Sequence, residues 1–186
     1  SLQIASSTGC KSFASAGRYI RIVSGISPDF SFSQPGTCRA PFIVNFQNLT
    51  SGPGILSYLW DFGNGGPTST LQNPSTSYAS PGTYTVRLTV QSDLGCTGTF
   101  TKDVVITGKT TDFNIPASIC VGQTVTFQNN SSPAPVSSFW DFGDGTTSSQ
   151  INPTKTFLTG GPPLQVKLIN NYGNCIDSIT KPVTVT

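Results

Sequence analysis

The stretch "YLWDFGNGG" at 58–66 returns as "FWDFGDGTT" at 139–147, with Trp140 standing 80 positions after Trp60 in a chain of 186 residues. A catalytic phrase is rarely needed twice in so short a chain, so the repetition points to a phrase that builds the fold. Trp60 and Trp140 end the apolar runs "ILSYLW" and "VSSFW", and each is expected to plug a core, burying about 200 Å². The Asp-Phe-Gly-Asx-Gly that follows sets glycines where the chain must reverse and Asp or Asn oxygens where they can accept turn N–H groups. The phrase therefore reads as the device that turns one strand into the next.

Working outward, the two copies align along their whole length. "CRAPFIVNFQN" (38–48) matches "CVGQTVTFQN" (120–129), "QNPSTSY" (72–78) matches "INPTKTF" (151–157), and "LGCTGTFTKDVVIT" (94–107) matches "GNCIDSITKPVTVT" (173–186). The offset stays between 79 and 82 throughout, which implies duplication of a domain. Residues 1–23 fit the end of a copy: "LQIASSTGCKSFASAGRYIRIV" lines up with "LTVQSDLGCTGTFTKDVVI". They are expected to be the closing hairpin of a further, upstream unit, with domains at 24–107 and 108–186 and short linkers at 24–28 and 107–111.

Apolar positions alternate, as in "TYTVRLTVQS" (83–92), where Tyr84, Val86, Leu88 and Val90 can face a core while Thr85, Arg87 and Thr89 face water. That period, with abundant Thr, Ser, Val, Gly and Pro, implies an all-β chain. Charged residues make up 10% and the net charge is +2. No cluster of Lys and Arg is present to neutralise a row of phosphates, which excludes nucleic acid as an expected partner. No apolar run approaches the roughly 20 residues of a spanning helix. With no His, eight scattered Asp and no nucleophile elbow, the chain is not expected to be an enzyme.

On these residues each unit resembles a PKD (polycystic kidney disease) domain. The signature is carried by Trp60, Asp61, Phe62, Gly63, Gly65, Asn73, Pro74, Tyr78, Gly82, Tyr84 and Val86 in the first unit. The second carries it on Trp140, Asp141, Phe142, Gly143, Asp144, Gly145, Asn152, Pro153, Phe157 and Val166. Two departures stand out: Asn64 replaces the second Asp of the first phrase, and "GGPPLQV" lacks the family's Gly-Thr-Tyr. The resemblance implies tandem immunoglobulin-like β-sandwiches in a head-to-tail array.

Clustered Asp oxygens suit calcium, and Asp61, Asp141 and Asp144 are the candidates for such a site, although six to eight oxygens are wanted; no other cofactor is expected. Asn48 and Asn129 are expected to cap turns, and both also fall in Asn-x-Ser/Thr sequons. The five cysteines, Cys10, Cys38, Cys96, Cys120 and Cys175, recur at two fixed places per unit. This argues for disulfides and an oxidising, extracellular or cell-surface setting. In the implied topology the two places sit at opposite ends of a sandwich, about 26 Å apart along an eight-residue strand, whereas a disulfide spans at most about 7 Å. An inter-domain Cys38–Cys175 staple is favoured, leaving Cys10, Cys96 and Cys120 to partners in further units. The within-unit pairs Cys38–Cys96 and Cys120–Cys175 are the alternative.

Such PKD arrays resemble those of giant surface adhesins of gliding, Bacteroidetes-type bacteria. The leading functional expectation is therefore a rigid spacer or filament in adhesion or surface motility, whose partners are neighbouring repeats. Asp177-Ser178-Ile179 also resembles a short O-glycosylation motif of those bacteria. The alternative is an accessory module of a secreted hydrolase that holds chitin, another polysaccharide or collagen. Phe13, Phe30, Phe32, Phe100 and Phe113, unplaced by the core pattern, would then form an exposed row, or else pack near domain junctions. A third reading has the 1–23 hairpin completing another chain's sheet through its strand edges.

Overall fold

Alternation in sequence becomes two-faced strands throughout the computed structural model, which describes residues 2–5, 11–14, 25–116 and 118–186. Leu2–Ala5 (β1) and Lys11–Ala14 (β2) pair antiparallel, Leu2 opposite Ala14 and Ala5 opposite Lys11. The rest of the segment expected to close an upstream unit, Cys10 included, lies outside the described residues, as does the side chain of Phe13. Contacts divide the chain into two compact units. One holds the residues up to Pro35 together with Pro41–Thr107, the other Gly36–Ala40 together with Gly108–Thr186.

The first unit faces two antiparallel sheets on one core. Phe30–Ser33 (β3), Phe42–Asn48 (β4) and Ser75–Tyr78 (β6) form one, in the order β3-β4-β6. Leu56–Asp61 (β5), Gly82–Ser92 (β7) and Thr97–Ile106 (β8) form the other, in the order β5-β7-β8. Period-two burial is clean along β4, where Phe42, Val44, Phe46 and Asn48 point inward, and along β7, where Val86, Leu88 and Val90 do. Trp60 is fully buried between the sheets, with Phe30 edge-on at 5.1 Å and Phe46 at 5.5 Å between ring centres.

The second unit repeats the plan with shorter strands. These are Phe113–Asn114 (β9), Ser118–Ile119 (β10), Thr124–Thr126 (β11), Gln128–Asn129 (β12), Ser137–Asp141 (β13), Thr147–Ser148 (β14), Thr154–Thr156 (β15), Leu164–Asn171 (β16) and Ile176–Val185 (β17). A five-stranded sheet runs β10-β17-β16-β13-β14, and the opposing layer is split into the pairs β11-β15 and β9-β12. Trp140 holds the place of Trp60, with Phe113 at 5.1 Å and Phe127 at 5.6 Å. In both units the Asn of the Asn-Pro pair pins the preceding layer. Asn73 Oδ1 accepts the N–H of Asn48 and Asn152 Oδ1 that of Asn129, each at 2.8 Å.

No helix occurs among the described residues. One topological difference separates the units. In the second, β10 runs parallel to β17 with Ser118 opposite Thr184 and covers that edge. The corresponding stretch of the first copy, Gly36–Ala40, belongs to the second unit, so the sheet of the first ends on β8.

Candidate functional site

The repeated phrase folds as a tight turn in each unit. Asp61 Oδ1 accepts the N–H of Gly63 at 3.0 Å, and Asp141 Oδ1 that of Gly143 at 2.9 Å. Gly63 and Gly143 adopt φ of +67° and +77°, and a Cβ there would lie 2.6 Å from the Thr85 carbonyl oxygen or 2.9 Å from that of Gln165. Both the left-handed backbone and the close approach demand glycine.

Of the proposed cation ligands, Asp141 and Asp144 share the turn of the second unit, and Asp61 belongs to the first. Asp144 is already satisfied. Its Oδ1 accepts from the N–H and hydroxyl of Thr146 at 3.0 and 2.6 Å, and its Oδ2 binds Lys155 Nζ at 2.7 Å. The Lys155 ammonium also donates to Thr146 Oγ1 and lies 5.5 Å and 5.3 Å from the ring centres of Phe142 and Phe157. Partial burial alone would raise the Asp144 carboxyl, but the hydrogen bonds from Lys155 and Thr146 outweigh it and hold the group below its ordinary value. A lysine ammonium thus sits beside the carboxylate that a divalent ion would use. Among the described residues no group of three or more His, Cys, Asp or Glu is placed to hold a metal ion.

The first unit solves the same corner without charge. Asn64 Oδ1 accepts from Gly66 N–H at 3.0 Å, while its Nδ2 donates to the Ser77 carbonyl at 3.2 Å and to Thr76 Oγ1 at 3.4 Å. Thr76 aligns with Lys155 as Asn64 aligns with Asp144. The second members of these pairs, Thr76 and Lys155, escape a reading of the turn phrase alone. Their signal lies in "QNPSTSY" against "INPTKTF".

Cys38 and Cys175 are joined in a disulfide with their Cα atoms 5.6 Å apart. By sequence the bond links one repeat to the other; by packing it lies wholly inside the second unit, to which Gly36–Ala40 belongs. Arg39 Nε and Nη2 reach Asp177 Oδ2 at 3.1 and 2.9 Å, and the N–H of Lys109 donates to the Cys38 carbonyl at 2.9 Å. Gly36 passes so close to the Asn174 carbonyl that a Cβ there would have no room. Partial burial raises the Asp177 carboxyl, and hydrogen bonds from Thr111 and Arg39 lower it by more, leaving it below its ordinary value. The within-unit pairs Cys38–Cys96 and Cys120–Cys175 are thereby corrected, because the 36–40 segment is tied to the hairpin that carries Cys175. Cys96 is itself disulfide-bonded. Cys120 is an exposed free thiol.

Among the described residues the candidate aromatics form no exposed row. Phe30 and Phe113 are buried against Trp60 and Trp140, and Phe32 and Phe100 pack partly buried against the first core. Position in the closing layers, which the alternation pattern does not register, draws them inward. Asn48 and Asn129 cap turns, accepting from Thr50 and Ser131 N–H at 3.0 and 3.2 Å. Asn48 is buried, and Asn129 Nδ2 is committed to Ser138 and Asn170 at 3.0 and 3.1 Å, so neither amide is presented as a glycan acceptor. Ser178 is exposed on β17 beside the ion-paired Asp177.

Two β-sandwich units with Trp-plugged cores and Asx-turn phrases define a tandem immunoglobulin-like chain. A profile of the PKD domain family matches residues 26–108 and 110–185, and the chain belongs to that family of non-catalytic domains. It is 45% identical over 65 residues to the pre-pro-metalloprotease PrtV of Vibrio cholerae, which is 34% of this chain and 7% of that protein. It is 40% identical over 80 residues to a microbial collagenase of Vibrio alginolyticus, which is 42% of this chain and 10% of that one. The chain thus matches a tenth or less of the length of these curated relatives. The crystal structure of the PKD1 domain of Vibrio anguillarum Epp is 35% identical, covers 47% of this chain and 99% of that one, and gives a TM-score of 0.41.

Proposed function

We propose that the chain is an accessory, non-catalytic part of a secreted hydrolase, holding an extended polymer such as collagen or a polysaccharide near a catalytic domain. The observation that carries this reading is the kind of protein in which similar segments occur: a metalloprotease and a collagenase, each sharing only a small fraction of its length. A short shared stretch of sandwich fold fits a role in placing substrate rather than cutting it. Disulfides at Cys38, Cys96 and Cys175 fit an oxidising, extracellular setting.

The test is retention of the whole chain on insoluble collagen, chitin and cellulose. Saturable retention on one of them supports the reading, and equal, non-saturable retention on all three, or none, overturns it. A second reading, a spacer in a surface adhesin or motility protein, draws on a separate observation: the Cys38–Cys175 bond closes 137 residues of chain. A load applied outside that bond bypasses the sequence within it. Single-molecule stretching tests that load path: the chain should lengthen by one additional large step only after reduction, and an equal extension before and after reduction would remove the support for the spacer reading.

A further inference from the structure

The second unit contains a cavity of about 300 Å³ at a place where the first unit places a tyrosine. The aligned copies set Phe157 on Tyr78, Leu164 on Tyr84 and Val185 on Ile106. In the first unit the Tyr84 ring lies 4.2 Å from that of Tyr78, and its hydroxyl donates to the Ser80 carbonyl at 2.9 Å. In the second unit Leu164 is too short to reach so far. The loop above it is also longer: Leu158, Thr159, Gly160 and Gly161 separate Phe157 from Pro162, where only Ala79, Ser80 and Pro81 separate Tyr78 from Gly82. Phe157, Leu158, Gly160, Leu164 and Val185 line the space, with Asp144 at its polar side. Leu158 is 79% exposed at the mouth.

We propose that this cavity is a binding site for a single aromatic side chain, of the tyrosyl type, presented by a polypeptide partner. The site takes from outside the ring that the first unit supplies from within. Its volume is at the small end of ligand sites and suits one ring rather than a run of them. The lining combines the apolar side chains of Phe157, Leu158, Leu164 and Val185 with the backbone of the 158–161 loop, and a carbonyl of that loop would accept from a phenol as Ser80 does from Tyr84. A phenol meets those demands with one hydroxyl, whereas a sugar ring brings several hydroxyls to walls where only Asp144 and Thr159 carry polar side chains. The inference deepens the accessory-module reading by naming the kind of group gripped, and rests on it only in taking the partner to be a polypeptide.

The probe is N-acetyl-tyrosinamide, titrated into the whole oxidised chain while backbone amide shifts are followed by NMR. N-acetyl-alaninamide and N-acetylglucosamine are the controls. Saturable shifts confined to Leu158–Gly161 and Val185 are expected, with a dissociation constant of about 1 mM, given so few contacting atoms. Leu164→Tyr, which rebuilds the internal pair, should weaken binding at least tenfold. Should Leu164→Tyr not fold, Leu158→Asp, altered only at the exposed mouth, should weaken binding at least threefold. Absence of saturable shifts, binding indifferent to these variants, or tighter binding of the sugar overturns the site. Retention on a polymer together with a silent probe would overturn the pocket alone and leave the accessory role standing.

Discussion

The two units answer the same structural demands with different chemistry. In the first, the corner beneath the turn phrase is neutral, Asn64 with Thr76, and Tyr84 covers Tyr78; in the second it is ionic, Asp144 with Lys155, and Leu164 leaves a cavity. The inner ends of the central strands differ too. The first unit places Tyr58 and Val90 against its core. At the corresponding positions the second has Ser138 and Asn170, buried and bonded to one another at 2.7 Å, with Asn170 Nδ2 donating to Ser131 Oγ at 2.7 Å. Duplication kept the layout of tryptophan, turn and Asn-Pro pin, while the residues between them diverged in partnered sets. A change at position 144 is compatible with the fold because position 155 matches it.

The largest difference to break is covalent. By sequence the Cys38–Cys175 bond encloses all of Pro41–Thr107, although by packing it lies in the second unit. Closing 137 residues restricts the unfolded chain, which by chain entropy amounts to about 5 kcal/mol. Cys38→Ser combined with Cys175→Ser should lower stability by that order in denaturant titrations of the non-reduced protein. An unchanged midpoint would mean that Arg39–Asp177 and the Gly36 contact hold the segment unaided.

Next in size is the buried polar set. Asn170→Val copies Val90 of the first unit but takes away the acceptor of the Ser138 hydroxyl, one of the two acceptors of Asn129 Nδ2 and the side-chain amide that donates to Ser131 Oγ, at a cost of about 2 kcal/mol. Val90→Asn in the first unit should cost at least as much, since Tyr58 offers no equivalent network. A neutral Asn170→Val would show that solvent or the neighbouring hydroxyls satisfy the set without its central amide.

Much of this layout was legible from the repeat itself. Period-two alternation put Val86, Leu88 and Val90 inward, and the tryptophans announced two cores. What escaped was what depends on partners distant in sequence. The missing Gly-Thr-Tyr of the second copy was visible as "GGPPLQV", yet a cavity arises only when loop length and the neighbour at 157 are taken together. The neutral Asn64 read as a lost ligand, whereas Thr76 across the turn makes it half of a matched pair. Phe30 and Phe113 read as unplaced because strands of four and two residues give too few alternations to fix a face. Nothing in local sequence marked 36–40 as belonging with the second unit, because that placement comes from a disulfide and an ion pair more than 130 residues away.

Acid should act on the second unit through three carboxylates. Asp112 is lowered chiefly by its hydrogen bond from Lys181, and Asp144 and Asp177 are lowered, against the effect of burial, by bonds from Lys155 and Thr146 and from Thr111 and Arg39. Groups with depressed folded values stabilise above the unfolded value, near 3.8, and lose that contribution as pH falls through the folded ones. Thermal midpoints should therefore hold level from neutrality to about pH 4 and drop below it, with amides of β16 and β17 losing exchange protection. The effect should be smaller than that of Asn170→Val, because solvent reaches all three groups. A drop beginning well above pH 5 would implicate something other than these carboxylates.

The smallest effect tests the matched pair itself. Asp144→Asn alone removes the partner of an ammonium that is largely covered, with a lysine side chain 14% exposed, and should cost about 1 kcal/mol, since the carboxylate is itself partly solvated. Lys155→Thr alone strands the carboxylate but frees a long side chain, and should cost less. Together they reproduce Asn64 and Thr76, and the double variant should be more stable than the sum of the single losses by about 0.5 kcal/mol, a coupling measurable by a double-mutant cycle. Strict additivity would mean that the ammonium is held by the faces of Phe142 and Phe157 rather than by Asp144. The two corners would then be independent accidents of divergence, and position 64 would carry no information about position 76.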